Sequence, residues 1–137
     1  MEWWRRDRAR QLISFDDMPY GATDIDGVTD HNGRIFVWYE VKHRGNEAPL
    51  GQKIALQNLV SLAAEARKHA IAMIVEHDID NTQEDVVLNK CRIRELITSE
   101  NMKWRPPKKL YMAGEMASAY INYWEKRNNV VCLQNRL

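Results

Sequence analysis

The sequence is poor in the features that mark several protein classes. Its two cysteines, Cys91 and Cys132, stand 41 positions apart with no CxxC or CxxxH spacing, which excludes a disulfide framework and offers no zinc site. Cysteine usage of this kind fits a reducing, intracellular setting, so a cytoplasmic location is expected. No apolar run approaches the length of a membrane span, and Met1-Glu2-Trp3-Trp4-Arg5-Arg6-Asp7-Arg8 lacks the apolar core of a secretory signal. No membrane partner is expected, and the first residues are expected to belong to the fold. Repeats and low-complexity segments are absent. Charge of one sign is lacking too: the net charge is +1, so any electrostatic case for nucleic acid must rest on local clusters. Two exist, Arg5, Arg6, Arg8 and Arg10 at one end and Lys103, Arg105, Lys108 and Lys109 around Pro106-Pro107 at the other. Such short clusters are as often solvated surface as phosphate track.

At 137 residues and 45% hydrophobic content the chain can bury one core, and a single domain over residues 1–137 is expected. Glu2 to Phe15 carries Trp4, Leu12 and Ile13 near helical spacing, which predicts an amphipathic first helix. β-branched and aromatic residues over Ala22 to Thr29 and Arg34 to Lys42 flank Asp30-His31-Asn32-Gly33, a hairpin signal. Ile54, Leu56, Leu59, Leu62, Ala63 and Ala66 predict a central helix from Gln52 to His69. Ala70 to Glu76 reads as a buried strand after it. Val86-Val87-Leu88 with Arg92-Ile93 suggests a further strand, while Leu96-Ile97 suits either a strand or a helix. Met116, Ala119, Tyr120, Tyr123 and Trp124 predict a closing helix over Ala113 to Arg127.

Side chains alternate along a strand, so in Phe36-Val37-Trp38-Tyr39-Glu40-Val41-Lys42 the residues Glu40 and Lys42 share a face. Two opposite charges closing an apolar strand, beside the acidic segment Asp24-Ile25-Asp26-Gly27, suggest chemistry. Clustered carboxylates suit a hard divalent cation, and a nearby lysine can orient a nucleophilic water. The plainer alternative is a surface ion pair beside an ordinary Asp-Gly turn. A calcium loop is excluded, because setting Gly33 as the loop glycine puts Val28 at the first ligand position and Tyr39 where the bidentate glutamate belongs.

Asp26, thirteen residues, and then Glu40-Val41-Lys42, with a helix before and a glutamine-led helix and a strand after, resemble the PD-(D/E)XK nuclease superfamily. Gln52, ten residues beyond Lys42, is similar to the glutamine of the virus-type replication and repair (VRR-NUC) and RecB-like nucleases. The resemblance spans roughly Glu2 to Glu76. It implies an α/β, restriction-endonuclease-like core of helix, β-hairpin, helix and strand, with a mixed central sheet flanked by helices. It further implies magnesium, with manganese as a substitute, held by Asp26, Glu40 and the Val41 carbonyl, with Lys42 and Gln52 completing the catalytic set. The sequence departs from the pattern in having Ile25 where proline is usual. Asp24 competes with Asp26 for the ligand role, and Glu2 is the one glutamate available in the first helix. Gln52 has a second reading as a capping or solvated residue. His43 and Arg44, directly after the triplet, are candidate phosphate contacts that equally suit a solvated strand end.

The implied activity is metal-dependent hydrolysis of phosphodiester bonds of DNA, as expected of a small stand-alone endonuclease or a structure-specific repair or recombination nuclease. The alternatives are a non-catalytic or inhibitory binding protein, for example phage-encoded, that keeps the fold, and a Holliday-junction resolvase acting as a homodimer. A shared metal site demands that Asp26 and Glu40 project to the same side of the hairpin, hence an even pairing sum. A three-residue loop His31-Asn32-Gly33 with Gly33 left-handed, or a bulge elsewhere, is expected, with Asp24 opposite Glu40 and Asp26 opposite Trp38.

Overall fold

The computed structural model describes the backbone of residues 12–136 and the side chains of residues 12–128. Among the described residues five strands form one mixed sheet in the order β1-β2-β3-β4-β5: β1 (Gly27–His31), β2 (Ile35–His43), β3 (His69–His77), β4 (Arg92–Thr98) and β5 (Asn101–Arg105). Helix α1 (Leu50–Glu65) links β2 to β3, and α2 (Ala113–Arg136) follows β5. Strands β2 and β3 run parallel, as a helical crossover requires, and the other neighbours are antiparallel.

The alternation of β2 sorts the core into two layers. Val37 and Tyr39 join Ile71, Met73, Val75, Ile93 and Ala117 under α2. Phe36 and Trp38 lie on the other side with Ala70, Ala72, Ile97, and Leu56, Val60 and Ala63 of α1. Strand β3 is buried on both faces, which explains its unbroken apolar run. Among the described residues no helix is long and apolar enough to cross a membrane.

Several elements differ from expectation. The first helix falls, as far as residue 11, outside the described residues; residues 12–14 are irregular, and Phe15–Asp17 is a single 3-10 turn. The first strand starts at Gly27, not Ala22, so Asp24, Ile25 and Asp26 lie on irregular chain leading into it. Helix α1 begins two residues before Gln52 and ends at Glu65. Arg67 there adopts a left-handed φ of 60°, its N–H donating to the Ala64 carbonyl and that of Lys68 to the Ala63 carbonyl, so the paired bonds of a Schellman motif stop the helix. Arg92 to Thr98 is strand, Leu88–Lys90 is a 3-10 turn, and β5 is an element the sequence reading lacked.

The hairpin has the required parity by a different route. His31 pairs with Ile35 and Gly27 with Tyr39, leaving Asn32, Gly33 and Arg34 as the connection in place of His31-Asn32-Gly33. Asn32 and Gly33 both have positive φ (57° and 67°), and the Arg34 N–H donates to the His31 carbonyl at 3.1 Å. A tight turn is thus followed by one extra residue, Arg34, which restores the even register. Continuing this register sets Asp26, rather than Asp24, level with Glu40.

Candidate active site

The charged end of β2 lies on the α1 side of the sheet, where the crossover brings the first turn of the helix back over the strand ends. Glu40 is 3% exposed and sits beside Ile74 of β3. Lys42 Nζ is 3.0 Å from Glu40 Oε1, with the lysine side chain 18% exposed. Burial raises the Glu40 carboxyl above its usual range; the hydrogen bond from Lys42 opposes this, and the negative charges of Asp26 and Asp24 add to it. Both aspartates are therefore close enough to act on Glu40. The Val41 N–H donates to Asp26 Oδ2 at 2.7 Å, which fixes Asp26 at the Glu40-Val41 peptide even though it lies outside the strand.

The neighbourhood holds three carboxylates against one lysine around a buried group. A divalent cation would offset that excess, and two carboxylates with a backbone carbonyl supply the oxygen donors that magnesium takes. Among the described residues no three His, Cys, Asp or Glu side chains converge as a ready metal cage. The residues that could hold such an ion are Asp26, Glu40 and, through its carbonyl, Val41. Gln52, in the first turn of α1, makes no side-chain cap; its Oε1 is buried and lacks a hydrogen-bond partner. A buried acceptor left unpaired is costly, which disfavours the capping reading; among the described residues Trp104 Nε1 is likewise buried without a partner.

His43 and Arg44 are engaged with acids at the strand exit. His43 Nε2 lies 2.7 Å from Asp80 Oδ1, and Arg44 Nε 3.5 Å from Asp78 Oδ1. A phosphate contact from either would compete with these pairs. The structure also adds residues that the sequence reading missed. Glu76 is the register partner of Lys42 and is bound by Arg94 Nη2 at 3.0 Å, while Lys53 of α1 pairs with Glu95, the partner of Ile74. With Glu40 these form a charged band across β2, β3 and β4, bordering a cavity of about 290 Å³ lined by Glu47, Lys53, Arg94 and Glu95. The alternation Arg92-Ile93-Arg94-Glu95 was the available signal, but a register shift at Ile74/Val75 displaces Arg94 from simple pairing.

Other reactive groups are accounted for structurally. Cys91 is buried and its thiol is pushed up by burial, the reverse of what activates a nucleophile. Arg105 donates to the carbonyls of Asn101 and Lys103, and the Lys109 ammonium lies 5.1 Å from the Tyr111 ring centroid. The arginine cluster at residues 5–10 lies outside the described residues. Comparison with protein families, curated proteins and solved structures returned no match.

Proposed function

We propose that the chain is a metal-dependent nuclease of the PD-(D/E)XK type that hydrolyses phosphodiester bonds of DNA. The observation that carries the reading is the buried Glu40, paired to Lys42 and level with Asp26, at the end of a central strand. Asp26, Glu40 and the Val41 carbonyl would hold magnesium or manganese. Bound there, the ion supplies Lewis-acid stabilisation of charge developing on the phosphate and eases deprotonation of water.

The chain's own part is positioning. The Val41 N–H orients Asp26 through a charge-assisted hydrogen bond, so its second oxygen is free to act as a ligand. Lys42, held by Glu40, presents an ammonium whose remaining protons can orient the attacking water and stabilise its negative charge. The unpaired Gln52 Oε1 is an acceptor suited to a water or a substrate group near the helix start.

Incubation of the purified protein with plain duplex, single-stranded and four-way-junction DNA, with magnesium, manganese or chelator, tests this. Cleavage should require the metal and disappear in both Lys42→Ala and Glu40→Gln. Full activity in either variant would end the assignment. Metal-independent binding without cleavage would instead support a non-catalytic protein of the same fold.

A further inference from the structure

Phe36 and Trp38 occupy the same strand face as Glu40 and Lys42, two residues apart in each step, so one row runs from two aromatic rings to the buried carboxyl. The rings are parallel within 7° and 5.7 Å apart between centroids. They form one wall of a groove of about 350 Å³ whose other side is Leu59 and Leu62 of α1 and Ala66 just past its end, with Lys68 on its lining. Leu62 is 60% exposed, and Val28, the register partner of Trp38, is 55% exposed, so the groove opens outward along edge strand β1.

We propose that this groove takes the unpaired bases of a single-stranded nucleic acid whose backbone continues to Glu40 and Lys42. The inference rests on the reading of those two residues as the hydrolytic site. Its physical basis is that duplex bases hide their faces in the stack, whereas an unpaired strand offers them to aromatic rings. Two strand residues advance about 6.5–7 Å, a step comparable to the phosphate repeat of an extended single strand. Bases at Trp38 and Phe36 therefore place the next phosphate near Glu40. Lys68 lies on the lining of the same groove and supplies a cation for the trailing backbone.

The test is fluorescence-anisotropy binding of labelled oligothymidylate to the full chain in chelator, compared with a duplex. The wild type should prefer the single strand, and Trp38→Leu and Phe36→Leu, which keep the groove apolar while removing the rings, should each weaken binding about five- to a hundredfold. Photocrosslinking of a 5-bromouracil oligonucleotide to the wild type gives a readout that no variant's folding affects, and its adducts should map to Phe36 or Trp38. Equal affinity for duplex, unchanged binding in both folded variants, adducts elsewhere, or a wild-type dimer that Trp38→Leu dissolves would overturn the proposal, the last in favour of a second copy of the chain. Because binding is read without metal, stacking without cleavage would sink the nuclease reading alone. Cleavage of duplex that is indifferent to Trp38→Leu would sink this inference alone.

Discussion

Removing Lys42 isolates what burial of Glu40 means. The two side chains form a close pair at 3.0 Å with exposures of 18% and 4%, so Lys42→Ala leaves the Glu40 carboxylate buried beside Asp26 and Asp24 without its cation. Breaking such a pair from one side costs about 3–5 kcal/mol if the remaining charge stays ionised. Glu40 can escape part of that cost by taking up a proton. Its folded-state affinity for the proton is already raised by burial, so the native state binds more protons than the unfolded chain as pH rises through the carboxylate range. Stability therefore falls with rising pH over that window and levels off above the folded pKa. Loss of Lys42 raises the folded pKa further and extends the fall to higher pH. The expected result is a small difference from wild type near pH 4.5 that widens to about 3 kcal/mol at pH 8, or roughly 10 °C in Tm. Thermal unfolding across that pH range measures it. A difference that does not vary with pH, or no loss at pH 8, would refute the buried-pair reasoning.

Three further variants probe the backbone. Gly33→Val puts a β-branched residue at a φ of 67°, where its Cβ would meet no atom within 4 Å, so its cost is conformational; denaturant unfolding should show a loss of about 1–2 kcal/mol. Arg67→Gly should gain about 0.5–1 kcal/mol in the same assay, because glycine suits the left-handed position that ends α1. Gly114→Ala should lose stability despite the roughly 1 kcal/mol helix-propensity gain of alanine, since its Cβ would lie 2.8 Å from Asn89 Cβ; a stabilised variant would show that the 3-10 turn before β4 yields freely.

The elements the sequence displayed best are those whose patterns are local. Two-residue alternation made β2 readable and put Glu40 with Lys42 on one face, and the apolar run of β3 announced burial on both sides. The turn was readable as Asn32-Gly33, but the extra residue is Arg34, whose side chain gives no sign of the irregular pairing. The same holds at the end of α1, where arginine stands at a position usually marked by glycine. Strand β5 carried little apolar alternation because an edge strand needs little, and Met102, Lys103 and Asn101 are exposed. The charged band through Glu76, Arg94, Glu95 and Lys53 depends on which strands become neighbours, which no local pattern states.

Structural and functional reasons for the Glu40–Lys42 pair can be separated by experiment. Glu40 lies beside Ile74 on a face otherwise packed by Trp38, Ala72 and Leu56, where an apolar residue would serve the core better than a carboxyl. Replacing both members of a buried ion pair with apolar side chains of similar size is commonly neutral or stabilising by about 1–4 kcal/mol, because the desolvation cost disappears with the charges. The double variant Glu40→Leu with Lys42→Met should therefore unfold at a denaturant concentration equal to or above that of the wild type, while metal-dependent cleavage is lost. Those two outcomes together mean the charges are retained at a cost to the fold for the sake of the site. A double variant less stable than wild type by more than about 1 kcal/mol would refute this, because the pair would then belong to the architecture and the burial of Glu40 would no longer point to chemistry.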